Sequence, residues 1–382
     1  MHSKINEKRM LDTFVELVKI DSESLAEKNI ALRLEKELKK LGAKTVFDNA
    51  HKKTGGNCGN LIARFPGTVK KPAFLLSSHM DTVKPGKGVK PKIGRTTVTS
   101  DGTTILGADC KSGITAILEV LRVLKENRLP HPPLEIAFTV SEEIGLLGSK
   151  NLDYSLLTAK EGLVLDSETP ETITVKAPST CMVKAAIRGL AAHAGMLPEE
   201  GISAIKVAAE AIHAMKLGRI DFETTANIGV ISGGNARNIV PGEVHLLGEA
   251  RSHNIKKLDR QTKHMRACLE KAVKRARLKV RGKLHQAQLD LQITREYPNL
   301  DVPATDACVK TIIAAGAKAG VKIKPVASGG GADSNVYFGH GIKALDIGCG
   351  MGKAHSLEEY LDIRAMTDCA KVALQVVVDR VE

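Results

Sequence analysis

The fold is decided by the stretch Ala73-Phe-Leu-Leu-Ser-Ser-His-Met-Asp81, in which an apolar run ends in a histidine and an aspartate. In extended backbone His79 and Asp81 are two residues apart, so their side chains point to the same side. A neutral imidazole is a common metal ligand, and a nearby carboxylate can fix its tautomer and raise its basicity. Taken alone, the same residues also fit an ordinary surface loop. The stretch predicts a strand with a candidate metal ligand at its carboxyl end.

Further segments of the chain resemble this one and alternate with helical patterns. Other short apolar runs bounded by turn residues lie at 60–65, 134–140, 162–165 and 344–347. Apolar residues with helical spacing mark 111–124, 304–319 and 363–377. Buried strands alternating with helices predict an α/β fold with a mostly parallel sheet flanked by helices.

The middle of the chain has a different pattern. Strand candidates there surround two helical stretches, at 202–215 and 258–276. Strands on one surface with two helices predict a small α+β domain inserted into the larger one. The expected domains are a catalytic domain made of 1–175 and 296–382, and an inserted domain at 176–295.

The charge of the chain is concentrated in one segment. The 382 residues are 43% hydrophobic, which provides a core and excludes global disorder. The net charge is +13, and 251–283 alone contributes +11. That segment leaves a polyanion or nucleic-acid binder open as an alternative. Trp is absent and aromatic residues make up only 3%, which disfavours base stacking. The apolar residues of the segment recur as in a solvated amphipathic helix, so we do not expect nucleic acid as a partner.

Cysteine usage and hydropathy bear on the cellular compartment. The seven cysteines are widely spaced without a C-x-x-C pair, which argues against a disulfide framework or a cysteine zinc site. The first residues lack the apolar core of a signal peptide. No run of about 18 apolar residues occurs. These features predict a cytoplasmic protein that does not span a membrane.

Two further pieces of sequence contain candidate ligands. Asp109, in Leu106-Gly-Ala-Asp-Cys-Lys-Ser-Gly113, lies where sheet meets helix, the usual ligand crevice of an α/β fold, although a helix N-cap would also explain it. Glu142 and Glu143 follow the run at 134–140. Adjacent carboxylates are costly when buried, and a cation would remove that cost, whereas a solvated loop would not need one.

Two more residues complete a set. Asp166 ends the run at 162–165, and His355 follows the run at 344–347 by a short glycine-rich loop. The set is more specific than any of its members: two imidazoles and three carboxylates suit two zinc ions bridged by one carboxylate, roughly 3.5–4 Å apart. Its members are His79, Asp109, Glu143, Asp166 and His355.

The motifs around these residues resemble those of the dizinc exopeptidase–aminoacylase family, in the same order along essentially the whole chain. They are S-H-M-D-T-V, G-A-D-x-K-S-G, T-V-S-E-E-x-G, L-D-S, H-A-G, G-G-G-A-D-S-N and A-H-S-x-E-E. G-A-D-x-K, G-L-L-G-S and G-G-A-D-S-N are most similar to the peptidase T, or aminotripeptidase, branch. The resemblance implies a metallopeptidase acting on short peptides, with an N-acyl amino acid amidohydrolase as the alternative.

The resemblance also implies roles for these residues. One zinc ion would be held by His79 and Asp166, the other by Glu143 and His355, with Asp109 between them. Cobalt or manganese can replace zinc in such sites. Two neighbours would assist: Asp81 would support His79, and Glu142 would be the general base that takes a proton from the attacking water and passes it to the leaving amine.

The inserted domain corresponds to the lid of that family. His193, in Ala192-His-Ala-Gly195, resembles the lid histidine that stabilises the oxyanion, often across a homodimer, although a packed or capping histidine is the simpler alternative. Asn238 and Arg251 resemble lid residues that contact substrate, and Arg251 would bind a carboxylate in a bidentate manner. One departure is Cys110, where relatives of peptidase T usually have aspartate. In the family the bond before it is cis and the residue is not a metal ligand, so Cys110 is either a tolerated small residue or a thiol that tunes the site.

Overall fold

The computed structural model describes residues 5–381, and the chain forms two compact units. The first unit contains the chain up to Lys176 and again from Leu300 onward, and the second unit is Ala177–Asn299. The second unit is therefore an insertion between two segments of the first.

In the described residues the helices are α1 (Glu7–Val18), α2 (Lys28–Leu41), α3 (His51–Thr54), α4 (Ala108–Glu126), α5 (Leu147–Lys150), α6 (Ala204–Ala214), α7 (Ile255–Arg275), α8 (Ala307–Lys318), α9 (Asp333–Gly339) and α10 (Ile363–Asp379). The strands are β1 (Lys44–Phe47), β2 (Leu61–Phe65), β3 (Phe74–His79), β4 (Lys92–Ile93), β5 (Thr97–Thr99), β6 (Leu134–Thr139), β7 (Glu161–Ser167), β8 (Thr172–Ala177), β9 (Ser179–Arg188), β10 (Ala192–His193), β11 (Gly218–Arg219), β12 (Thr224–Gly233), β13 (Ile239–Val240), β14 (Glu243–Ser252), β15 (Arg277–Val280), β16 (Lys283–Gln286), β17 (Gln288–Tyr297), β18 (Leu300–Asp301), β19 (Lys324–Ala327), β20 (Lys343–Gly348), β21 (Met351–Gly352) and β22 (Tyr360–Asp362).

A nine-stranded sheet is the framework of the first unit. Its strand order is β1-β2-β6-β3-β7-β20-β8-β18, with β19 paired to β8. The four central strands β6, β3, β7 and β20 are parallel, while β1 and β2 on one side and β8 on the other pair in antiparallel fashion. Every residue of β3 and β6 is buried, as expected for parallel strands covered on both faces. The fold is thus the predicted α/β class, with a mixed sheet whose four central strands are parallel and in which β19 also pairs with β8 in parallel.

The parallel centre of the sheet determines where polar side chains collect. Carboxyl ends of neighbouring parallel strands meet at one edge, where ligands of open α/β folds bind. His79 is the last residue of β3, and Asp166 is near the end of β7. The pair of glutamates follows β6, and His355 follows β20 and the short strand β21. Five residues from four distant parts of the chain therefore reach the same edge.

The second unit is built on an antiparallel sheet of five strands in the order β11-β12-β14-β9-β17, and helices α6 and α7 pack against it. The apolar side of α7, which includes Leu258, Met265, Leu269 and Val273, is buried in the core of this unit. Its other side is exposed and basic, so the amphipathic pattern predicted for this segment is present. Within residues 5–381 no helix combines the length and the hydropathy that crossing a bilayer requires.

Candidate metal centre

His79 and Asp166 form the more enclosed side of the cluster. The side chains of His79 and Asp166 are 1% and 7% exposed, and Nε2 of His79 lies 3.4 Å from Oδ1 of Asp166. Nδ1 of His79 lies 3.0 Å from the backbone carbonyl of Asp81, which can only accept, so Nδ1 donates a hydrogen bond. In a neutral ring this leaves the lone pair of Nε2 facing the carboxylates. The imidazole is thus oriented as a metal ligand requires.

Asp109 lies between the two histidines. Its Oδ1 is 2.9 Å from Nε2 of His79, and its Oδ2 is 3.2 Å from Nε2 of His355. It follows a loop rather than a strand, and it is the second residue of α4, with non-helical backbone angles. Burial raises the pKa of the Asp109 carboxyl, but the hydrogen bonds from His355 and His79 outweigh this and keep the pKa low. The carboxylate is therefore ionised and available to two cations at once.

Glu143 and His355 form the more open side of the cluster. Nε2 of His355 is 2.8 Å from Oε2 of Glu143, and the His355 side chain is 55% exposed. Oε1 of Glu143 is buried and has no hydrogen-bond partner among residues 5–381. A buried carboxylate oxygen without a partner is costly, and a metal ion would satisfy it.

The donor set fits a pair of divalent cations. Potential ligand atoms of His79, Asp109 and Asp166 lie within 4.8 Å of one another, and so do those of Asp109, Glu143 and His355. Asp109 belongs to both groups. Two imidazole nitrogens with carboxylate oxygens are ligands that zinc accepts. Each of the five predicted ligands is thus in a position from which it could bind.

The electrostatics of the cluster also favour positive charge. Hydrogen bonds to Asp109 and Glu143 raise the pKa of His355 to about 10. Burial lowers the pKa of His79, but the nearby carboxylates, first Asp166, outweigh it and raise the pKa well above its usual range. Burial raises the pKa of Asp166 to about 6, against the field of His79. Three carboxylates close together are stable only beside cations, whether protons on imidazole or metal ions.

Asp81 supports the segment that bears the paired glutamates. Its Oδ1 accepts the backbone N–H of Glu142 at 2.9 Å, and its Oδ2 accepts that of Glu143 at 3.2 Å. The Ser24 hydroxyl donates to Oδ2 as well. One fully buried carboxylate thus orients both the candidate base and a candidate ligand. Burial raises the pKa of Glu142 well above its usual range, opposed by His79 and reinforced by Asp166, Asp333 and Glu143.

A second buried carboxylate, Glu27, was not anticipated from the sequence. Its Oε1 accepts hydrogen bonds from the backbone N–H of Leu25 and from both the N–H and the hydroxyl of Ser141. Ser141 immediately precedes Glu142. Glu27 lies in an acidic stretch ahead of α2 with no spacing that links it to position 141, so no local pattern indicated this contact.

Cys110 behaves as a buried thiol beside the cluster. Its Sγ is close enough to the ligand atoms of His79 and Asp166 to count as a candidate donor. Its S–H, however, donates to the carbonyl of Leu165 at 2.7 Å, and burial raises the pKa of the thiol well above its usual range. A protonated thiol is a poor ligand, since the thiolate is the form that binds metals. The Asp109–Cys110 peptide bond is cis, as the family resemblance implied.

His193 and Asn238 are neighbours in the second unit. β10 pairs with β13, and the N–H of Ala194 donates to the backbone carbonyl of Asn238. Nδ1 of His193 accepts the N–H groups of Gly195 and Met196 at 3.2 and 3.1 Å. A ring nitrogen that accepts carries no proton, so the ring proton is on Nε2 of this exposed side chain.

Arg251, also in the second unit, already has a carboxylate partner. Its guanidinium makes two hydrogen bonds to Glu249, at 2.8 and 2.9 Å. The two residues are two apart on β14 and point to the same face. The carboxylate predicted for Arg251 belongs to a substrate, whereas the structure shows the guanidinium paired with Glu249 of its own strand.

Comparison with known proteins gives consistent relatives. The model of Peptidase family M20/M25/M40 matches residues 75–379. Protein YqjE of Bacillus subtilis (strain 168) is 42% identical over 374 residues, covering 98% of each chain. The crystal structure of aminopeptidase PepT from Bacillus cereus ATCC 10987 is 39% identical, with a TM-score of 0.90 and complete coverage of both chains. A tripeptidase from Staphylococcus aureus Mu50 is 38% identical, with a TM-score of 0.93 and 99% coverage of each chain.

The family match, the full-length relatives and the cluster of metal-ligating side chains agree with one another. Together they confirm the resemblance found in the motifs, and they make this chain a metal-dependent peptide hydrolase. The chain belongs to Peptidase family M20/M25/M40.

Proposed function

We propose that this enzyme is a dizinc aminopeptidase that removes the N-terminal residue from short peptides, tripeptides in particular. The observation that carries the proposal is the shared carboxylate of Asp109, which lies between two groups of ligand-type side chains. Solved structures of similar sequence along the whole chain are described as an aminopeptidase and a tripeptidase, which supports the substrate class.

The five clustered residues would hold the metal ions. His79 and Asp166 would bind one zinc ion, Glu143 and His355 the other, and Asp109 both. Bound zinc ions would supply Lewis acidity, which lowers the pKa of water from 15.7 to about 7 and polarises a substrate carbonyl. The pairing of Nδ1 of His79 with Asp81 supports this assignment, because it leaves Nε2 as the ligand atom.

Glu142 would act as the general base. It is adjacent to the candidate ligand Glu143, and its backbone is fixed by Asp81. It would take a proton from the attacking water and deliver it to the amine that leaves when the peptide bond breaks. A raised pKa in the buried site suits a group that must both accept and return a proton near neutral pH.

Lid residues would bind the reacting peptide. Nε2–H of His193 is free to donate to the developing oxyanion, as its tautomer in this structure supports. Asn238, beside His193, would contact the peptide. We retain Arg251 as a candidate for the peptide carboxylate, in exchange with Glu249.

The enzyme would work as a cytoplasmic homodimer. All seven cysteines are unpaired, including Cys110 and Cys349 with their sulfur atoms 3.9 Å apart, which suits a reducing compartment. Val230 and Leu247 are partners across β12 and β14, are 51% and 42% exposed on one face of the sheet, and a second copy could cover them. Sedimentation of the wild type and of Val230→Asp tests the dimer.

A chelation experiment combined with matched substrates tests the activity. Removing metal should abolish hydrolysis of free-amine tripeptides, and adding back Zn²⁺, Co²⁺ or Mn²⁺ should restore it with two ions per chain. The same tripeptides with an acetylated N-terminus serve as controls and should be cleaved far more slowly. Faster cleavage of N-acyl amino acids than of any free peptide would refute this proposal and show that the enzyme is an N-acyl amino acid amidohydrolase.

A further inference from the structure

The motif A-H-S-x-E-E contributes His355 to the cluster, but its last residue, Glu359, is not one of the five candidate ligands. Glu359 is 2% exposed and lies in the loop between β21 and β22. Its neighbour Glu358 is exposed and pairs with Lys353. Two adjacent glutamates therefore have opposite environments, and the buried one needs partners.

The partners of Glu359 are backbone N–H groups at the start of α4. Its Oε2 accepts those of Leu106 at 2.7 Å and Gly107 at 2.8 Å, and its Oε1 accepts that of Asp109 at 3.0 Å. The carboxylate spans about 250 residues of sequence to reach them. Both of its oxygens are engaged, so its orientation is fixed.

Within residues 5–381, Glu359 is the acceptor for these three N–H groups, and no backbone carbonyl accepts them. The first N–H groups of a helix have no intrahelical partner, and an N-cap side chain commonly satisfies one of them. Here the N-cap is Gly107, which has no side chain and has a φ of +79°. Asp109 and Cys110 have non-helical backbone angles, with ψ values of 103° and 36°. The turn that presents Asp109 therefore depends on an acceptor from elsewhere in the chain.

The loop that contains Glu359 contacts Asp109 at two points. Nε2 of His355 lies 3.2 Å from the Asp109 carboxylate, while Glu359 binds the Asp109 backbone. One short segment thus contributes a candidate metal ligand and fixes the residue shared by both metals. We propose that Glu359 is a positioning residue of the metal centre, which aims the Asp109 carboxylate at both metal positions by binding the start of α4. This inference rests on the proposed role of Asp109 as the shared ligand.

The test compares two adjacent substitutions in the full-length enzyme. Glu359→Gln keeps the size of the side chain but replaces one acceptor oxygen by an NH₂ group, which cannot accept a backbone N–H. Glu358→Gln is the matched control on the exposed neighbour.

Metal-free proteins are titrated with Co²⁺, following both the binding isotherm and the visible absorption of the bound ion. We expect Glu359→Gln to weaken Co²⁺ binding about 10- to 100-fold and to alter the spectrum, the usual range for residues that orient metal ligands. Glu358→Gln should match the wild type.

A purely structural role for Glu359 gives a different result. Thermal unfolding of the metal-free proteins shows whether Glu359→Gln is folded. A folded variant that binds Co²⁺ with wild-type affinity and spectrum overturns the proposal, even if its unfolding temperature is lower. If Glu359→Gln does not fold, Glu359→Asp decides by the same titration, because a shorter carboxylate cannot reach all three N–H groups, and wild-type binding by that variant also overturns the proposal. Metal binding does not depend on the peptide cleaved. A wild type that fails to cleave tripeptides but shows the expected difference between variants therefore refutes only the proposed function.

Discussion

The buried cluster of the first unit and the basic helix α7 of the second unit carry charge in opposite ways. In the cluster, Asp109, Glu143 and Asp166 are nearly excluded from water, and each has a defined cationic neighbour. On α7, five basic residues are spaced three, four or eight positions apart, which places them on one exposed stripe at 3.6 residues per turn. The stripe consists of Lys256, Arg260, Lys263, Lys271 and Lys274. Within the described part of the chain, none of the five forms an ion pair.

The difference shows that the number of charged residues in a region does not indicate how much those charges contribute to stability. Exposed charges are solvated by water, and even exposed ion pairs contribute only about 0–1 kcal/mol. Buried charges must be compensated by specific partners, and removing one partner leaves the other uncompensated. The segment 251–283 accounts for most of the net charge of +13, yet we expect changes in the cluster to matter far more.

The largest effect is expected at Glu142. Glu142→Gln removes the group that moves the proton while keeping its size, so kcat for tripeptides should fall by about 10²- to 10⁴-fold. Because Glu142 is not among the candidate ligands, the variant should retain two metal ions per chain, as metal analysis would show. Hydrolysis at the wild-type rate with metal bound would refute the proposed base.

The two histidines of the cluster should differ. His79→Ala removes a buried cationic partner from Asp166 and Asp109, so the free energy of unfolding of the metal-free protein should fall by about 1–3 kcal/mol. Water can replace the side chain of His355, which is half exposed, so His355→Ala should lose metal affinity with little loss of stability. Denaturant unfolding and metal titration of both variants measure this contrast. Equal destabilisation by the two substitutions would mean that burial does not distinguish the two sides.

Much of this arrangement could be predicted from the sequence, because strand ends are local features. The run at 73–76 continues to His79 in β3, and the run at 162–165 reaches Asp166 in β7. Parallel strands bring such ends to one edge, which accounts for His79, Asp166 and the glutamates that follow β6. Asp109 follows a loop, so its place in the cluster was implied by the motifs and not by a strand end. The antiparallel outer strands could not be predicted, since four of the five residues of β2 are buried and its sequence has no feature that indicates the direction of the strand.

Contacts that fix the ligands from far along the chain could not be predicted in the same way. Glu27 binds Ser141, and Glu359 binds the start of α4, over separations of 114 and about 250 residues. The sequence does not distinguish a buried glutamate from an exposed one, as the adjacent residues Glu358 (exposed) and Glu359 (buried) show. The pairing of Arg251 with Glu249 could not be predicted for a different reason. The two residues are two positions apart on one strand, so they share a face, but only the structure shows that the guanidinium binds the Glu249 carboxylate.

A smaller effect than that of the base is expected at Asp81, which orients the ligand segment. Asp81→Asn keeps the shape but removes the charge that accepts two backbone N–H groups, so metal affinity should fall by about 10- to 100-fold. Asp12→Asn, on an exposed aspartate paired with Lys8, is the matched control and should have no effect on metal binding. Isothermal titration with Zn²⁺ measures the metal affinity of both variants. Equal affinity would show that the Asp81 carboxylate does not contribute to metal binding.

The smallest effect is expected on the stripe of α7. The double variant Lys263→Gln and Lys271→Gln removes two exposed cations without ion pairs, so the free energy of unfolding should change by no more than about 0.5 kcal/mol per site. Tripeptide hydrolysis should remain at the wild-type level, because solvated charges need no compensation from the fold.

The same pair of proteins also tests the rival interpretation of the basic segment. Binding of random DNA by the wild type at physiological salt, with a steep salt dependence that the double variant reduces, would show that the stripe is a polyanion site. Without such binding, the stripe is the solvated face of an amphipathic helix, and the contrast with the buried cluster holds.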